Sequence, residues 1–110
     1  MQPTSAPETR PLSGQARSFL DYCRVEKGLA PRTIQSYRAD LERFATSLPV
    51  ADRDATREHL SSYLQSLYKE GLSARSIARH VATLRNYYRF LSREGVVSKD
   101  PAEFLTSPKQ

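Results

Sequence analysis

The sequence predicts an all-α fold: a four-helix bundle followed by a short C-terminal helical turn. Apolar side chains recur at three- and four-residue steps in four separate segments. No segment alternates apolar and polar residues as a half-buried strand would. The connections between segments are short, and three of the four glycines stand where a segment ends. No repeat at a solenoid period is present.

With 110 residues the chain is the size of one small domain. Residues 1–12 are rich in Pro, Thr and Ser and read as a disordered tail, 13–105 as the folded domain, and 106–110 as a linker towards a further domain.

The first helix is expected from Ser13, a good N-cap, to Lys27, with Ala16, Phe19, Leu20 and Cys23 inward and Gly28 closing it. The second opens at Pro31, where the missing N–H costs no hydrogen bond. Ile34, Tyr37, Leu41, Phe44, Ala45 and Leu48 make its apolar stripe, and Pro49 stops it. After the polar loop ADRDA, Thr56 caps a third helix with Leu60, Tyr63, Leu64, Leu67 and Tyr68 inward, ended by Gly71. Ser73 caps the fourth, with Leu72 and Ile77 placed as a hydrophobic staple. Its core face is Ile77, Val81, Leu84, Tyr88 and Leu91, and Gly95 ends it. Asp100-Pro101 then reads as a turn into a helical turn carrying Phe104 and Leu105.

Composition narrows the function. Seventeen Lys and Arg against twelve Asp and Glu give a formal charge of +5. The sequence pI of about 9.7 makes a polyanion, above all nucleic acid, a natural partner. The single cysteine, Cys23, excludes an internal disulfide and a zinc set, and its place on an apolar face suits a small hydrophobe. No apolar run approaches the roughly 20 residues of a membrane span, and the N-terminus lacks a signal-peptide pattern. A cytoplasmic location without membrane contact is the simplest expectation. Gly-rich phosphate loops and metal-ligand spacings are missing as well, so no cofactor and no metal are expected.

The outer faces carry the functional signal. With the core face of the fourth helix turned down, Arg75, Arg79, Ala82, Asn86 and Arg93 point outward. Ser76 and Thr83 fall on one shoulder and Arg89 on the other; Arg85 lies near the core boundary. Glu94, at the very end, is this helix's only acid, whereas an ordinary solvated face mixes signs four residues apart. The second helix shows Arg32, Gln35, Ser36, Ala39 and Arg43 outward, with Thr33 in its first turn. Short side chains between arginines suit a helix lying in a DNA groove, with guanidinium groups reaching phosphates or guanine edges. Helix N-termini add free N–H groups and partial positive charge. A basic face can equally be a solvated one; two such faces on one basic chain favour double-stranded DNA.

The stretch LSARSIARHVATLRNYYRFL, residues 72–91, resembles the fourth helix of the N-terminal core-binding domain of tyrosine recombinases, nearest to the Xer type and the phage integrases. FLDYCRVEKGLAPRTIQSYRADLERF, residues 19–44, is similar to that domain's first two helices, and Asp100-Pro101-Ala102 with Ser107-Pro108-Lys109 to its join into the catalytic domain. The resemblance covers about residues 15–110. It implies a four-helix, SAM-like domain that clamps one side of a duplex through its second and fourth helices. Carried over, the contacts fall on Arg32, Thr33, Gln35 and Ser36, and on Arg75, Ser76, Arg79 and Thr83; Arg43 and Asn86 come from the helical wheel alone.

The family's chemistry uses a tyrosine nucleophile with arginines, a lysine and a His-x-x-Arg motif in a second domain. Neither His59 nor His80 is followed by Arg at the third position, and Tyr87 and Tyr88 read as packing residues. His80 is placed beside the core or against DNA. The expected function is therefore a DNA-binding module of a site-specific recombinase of the chromosome-dimer-resolving or integrase kind, without catalysis of its own and with other recombinase protomers as further partners. A helix-turn-helix-like regulator and a helical protein-interaction module are the alternatives.

Overall fold

The computed structural model describes residues 11–108. Among these residues four α-helices, α1 Gly14–Val25, α2 Pro31–Ser47, α3 Arg57–Lys69 and α4 Ala74–Arg93, are joined by short loops, one of which holds a 3₁₀ turn, Asp52–Asp54. The described residues contain no strand. The expected tail falls largely outside them, at residues 1–10. Leu12, assigned to that tail from sequence, is instead buried against the bundle.

The helix starts follow local chemistry. Ser13 and Ser73 accept from the backbone N–H groups of Ala16 and Ser76, satisfying donors that the helix itself cannot. Thr56 accepts from the His59 N–H while the His59 ring accepts from the Thr56 N–H, a reciprocal box with His where Glu or Gln is usual. α2 differs: its N-cap is Ala30, no side chain caps it, and Pro31 stands at its first position.

The ends of α3 and α4 share one geometry. Gly71 and Gly95 have φ of 89° and 76°, and each N–H returns to the carbonyl three residues back. The next N–H, of Leu72 or Val96, reaches the carbonyl of Leu67 or Leu91. This Schellman arrangement needs left-handed backbone, which glycine adopts without strain.

α4 is the central element and packs against each of α1, α2 and α3. Its buried side is wider than the sequence stripe: His80, Thr83, Tyr87 and Phe90 are buried beside the expected Ile77, Val81, Leu84, Tyr88 and Leu91. Phe19, Phe44, Leu60, Leu64 and Leu67 meet it from the other helices, and Val97, Ala102 and Leu105 close the bundle from the C-terminal side. Tyr68, expected inward, is exposed, and of the apolar pair on the C-terminal turn Leu105 is buried while Phe104 is 74% exposed.

Candidate nucleic-acid interface

The contact between α2 and α4 is built from polar groups as well as apolar ones. Asn86 Nδ2 donates to Tyr37 Oη at 3.2 Å. Arg79 donates through Nε and Nη2 to the two carboxylate oxygens of Asp40, at 3.1 and 2.7 Å. Thr83 Oγ1 donates to the same carboxylate at 2.8 Å. Residue 37 pairs with 86 and residue 40 with 79 and 83, so the two helices cross with opposite chain directions. The first turns of α2 therefore lie towards the second half of α4, and the first turns of α4 towards the second half of α2.

This geometry sorts the sequence-predicted residues. Arg32, Thr33, Gln35 and Ser36, in the first turns of α2, carry no side-chain hydrogen bond or ion pair among the described residues, and Arg32 and Gln35 are exposed. Arg75 is exposed and equally unengaged at the start of α4. Ser76 beside it is half-buried and accepts from the cap hydroxyl of Ser73 at 3.2 Å. Neither helix has an acid in its first turn. Because α2 lacks a side-chain cap, the N–H groups of Arg32 and Thr33 also face the helix end uncapped.

Further along, the faces are not free of carboxylates. Arg79 is held by Asp40 in a two-pronged ion pair, although its side chain remains 47% exposed. That hydrogen bond holds the Arg79 guanidinium more firmly protonated than usual. Arg43 pairs with Glu70 from the end of α3. Thr83, placed on an outer shoulder from sequence, is 0% exposed. Its hydroxyl also reaches the Arg79 carbonyl, at 3.1 Å. The fold buries it because α2 covers that shoulder, so its part is to hold Asp40 rather than to meet a ligand. Asn86 is half-buried at the crossing.

Asp40 is the residue that sequence reading passed over. It is 3% exposed and collects Arg79, Thr83 and, at 3.4 Å, His80 Nε2. The far side of the His80 ring meets Tyr63 Oη at 3.2 Å. Burial pushes the His80 pKa down against the opposing pull of Asp40, with Arg79 and Arg43 adding to the fall. Burial likewise raises the Tyr63 phenol. The available signal was an acid at position 40 on the α4-facing side of α2, with two polar α4 residues four apart.

A second carboxylate fixes the loop after α2. Asp52 accepts from Ser13 Oγ at 2.7 Å and from Tyr87 Oη at 2.5 Å, and its backbone carbonyl accepts from Tyr88 Oη at 2.6 Å. Both tyrosines are buried, and burial leads the causes that raise their phenol pKa values. They pack in the core, as the sequence suggested, and also anchor the loop, which it did not show.

The structure is thus an all-helical bundle whose two crossing helices, α2 and α4, begin with basic residues and without acids. Residues 16–95 match the family described as phage integrase, N-terminal SAM-like domain, and the chain belongs to that family. Over 96 residues it is 41% identical to tyrosine recombinase XerC of Oceanobacillus iheyensis, covering 84% of this chain and 32% of the relative. It is 40% identical to tyrosine recombinase XerD of Rhizobium meliloti over 96 residues, covering 84% and 31%. The chain thus spans about a third of the length of the curated relatives it matches. No solved structure matches it. Among the described residues no helix is long and apolar enough to cross a membrane.

Proposed function

We propose that this chain is the DNA-binding module of a site-specific tyrosine recombinase of the chromosome-dimer-resolving type, working in the cytoplasm. It holds half of a recombination site through α2 and α4, while strand cleavage and rejoining belong to a separate domain. Family membership and the Xer recombinases among its relatives support the reading. The observation that carries it is the set of unengaged side chains at the two helix starts, Arg32, Thr33, Gln35 and Ser36 on α2 and Arg75 on α4, with Ser76 beside Arg75 keeping its own hydroxyl proton to donate. Arg79 and Arg43 contribute through the donors their carboxylate partners leave free. Asn86 lies at the margin.

Most of the affinity comes from phosphate contacts. With about six of them, log affinity falls against log salt with a slope near −5. Fluorescence anisotropy with a labelled duplex at several salt concentrations tests this. Arg32→Ala/Arg75→Ala is expected to make the slope shallower by about 0.9 for each phosphate that is no longer neutralised. An unchanged slope and affinity would remove these helix starts from the interface.

Contact with other recombinase protomers is a second, compatible role. Phe104 favours it, as a large apolar side chain left open on the C-terminal turn.

A further inference from the structure

A cavity of about 120 Å³ opens where the end of α1, the start of α2 and the second half of α4 converge. Its walls are aromatic: Phe19, Tyr22, Tyr37 and Phe90. Its rim is cationic, with Lys27 from the turn after α1 and Arg89 and Arg93 from α4. Among the described residues none of these three has a carboxylate within 4 Å. The remaining polar groups point the same way. Asn86 donates to Tyr37 Oη, which leaves the Tyr37 proton without an acceptor among the described residues. Cys23 brings no competing charge, because burial pushes its thiol pKa up despite the nearby Lys27.

The rim is thus rich in donors and holds no acid. The larger groove on the other side of α2 differs: there Arg43 and Arg79 share their space with Asp40, Glu42 and Glu70. Arg93 is partly committed, lying 4.7 Å over the Tyr22 ring and also lining the neighbouring groove that holds Asp21, Glu26 and Glu94. Lys27 and Arg89, both exposed, are the free cations among the described residues of this rim.

We propose that this cavity is a seat for one phosphate group of bound DNA, held jointly by Lys27 and Arg89 with the Tyr37 hydroxyl donating from below. It rests on the DNA-binding reading above and extends that interface. Tyr37 stands one turn after Thr33, so the seat continues the face formed by the first turns of α2. The opposed directions of α2 and α4 bring Arg89 to that end, and the Gly28 turn, at φ 62°, brings Lys27 there from α1. A compact ammonium and a forked guanidinium beside a phenol match the tetrahedral oxygens of a phosphodiester.

The test is a duplex titration at several salt concentrations with Lys27→Ala/Arg89→Ala, Tyr37→Phe and Arg32→Ala/Arg75→Ala, each checked by circular dichroism for an unchanged fold. Two cations sharing one phosphate predict that the Lys27→Ala/Arg89→Ala slope becomes shallower by about 0.9. Tyr37→Phe weakens binding several-fold at constant slope. A slope change near 1.8 for the Lys27/Arg89 pair marks two separate phosphates and overturns the shared seat, and no change overturns it outright. If Arg32→Ala/Arg75→Ala alters the slope while the Lys27/Arg89 pair does not, the helix-start reading stands and the seat falls; the converse result keeps the seat and removes the helix starts. Inorganic phosphate titrated without DNA, followed by amide shifts at residues 27–29 and 86–93, separates the sources. Weak, unsaturating shifts are expected of a backbone seat, whereas tight saturation assigns the cavity to a free phosphate compound and overturns the DNA source.

Discussion

Asp40 shows how one side chain decides what its neighbours can do. A carboxylate this deeply buried is tolerated because three donors meet it, Nε and Nη2 of Arg79 and Thr83 Oγ1, with His80 Nε2 3.4 Å away. It turns Arg79 from a free cation into an oriented one and draws Thr83 out of solvent. Asp40→Ala removes the partner of Arg79 and the carboxylate beside His80, and leaves the Thr83 hydroxyl only the Arg79 carbonyl. Unfolding by urea is expected to show a drop in stability of about 2 kcal/mol, below the cost of breaking a fully buried pair because Arg79 keeps water on its exposed half. His80 supplies a pH dependence. Its folded pKa lies below the ordinary 6.5, so the unfolded chain takes up the proton first. Stability is therefore full above pH about 6.5 and falls as pH drops below that value towards the lower folded pKa. Thermal melts between pH 7 and 5 are expected to show this decline, and His80→Gln to flatten it. The groups facing the ring are Asp40 from α2 and Tyr63 from α3, with Arg79 and Arg43 nearby.

Among the helices, boundaries are governed by a few hydrogen bonds. Thr56 holds the start of α3 through the reciprocal box with His59. Thr56→Ala is expected to cost about 1 kcal/mol in a denaturant titration, the usual worth of an N-cap. Gly95 turns the chain after α4 in left-handed backbone, so Gly95→Ala should cost about 1 kcal/mol by the same measurement, although a Cβ there meets nothing within 4 Å. The penalty is conformational and does not come from steric crowding. α2 is the exception that bears on function. Without a side-chain cap, its first turn has less internal satisfaction than those of α1, α3 and α4, and a bound phosphate would supply what the cap does elsewhere.

For the bundle as a whole, α4 is the axis on which stability and the proposed interface both depend. One side carries Leu91, Tyr88 and Leu84 into the core; the other carries Arg75, Arg89 and Arg93 outward. Leu91→Ala is expected to cost about 2–5 kcal/mol, because truncating a fully buried side chain leaves a cavity among close-packed neighbours. Helix number, order and approximate limits were legible in the chain, since 3.6-residue periodicity, Ser and Thr caps and C-terminal glycines are local signals. Ser13, Thr56, Ser73, Gly71 and Gly95 all act where spacing placed them. The outer faces were only partly legible. A helical wheel treats each helix alone, and it could not foresee that α2 would cover the shoulder bearing Thr83 or that Glu70 from α3 would reach Arg43. Nor could it separate the apolar pair on the C-terminal turn, where Leu105 faces inward and Phe104 out.

An all-α bundle, its caps and its basic character could thus be read along the chain, because each is set within a few neighbouring residues. Which arginines stay free, which are paired to Asp40 and Glu70, and that Lys27, Tyr37 and Arg89 share one cavity emerged only from the packed helices. Those groupings join residues far apart in the chain, and helices packed at a particular crossing are what bring such distant charges within reach of one another.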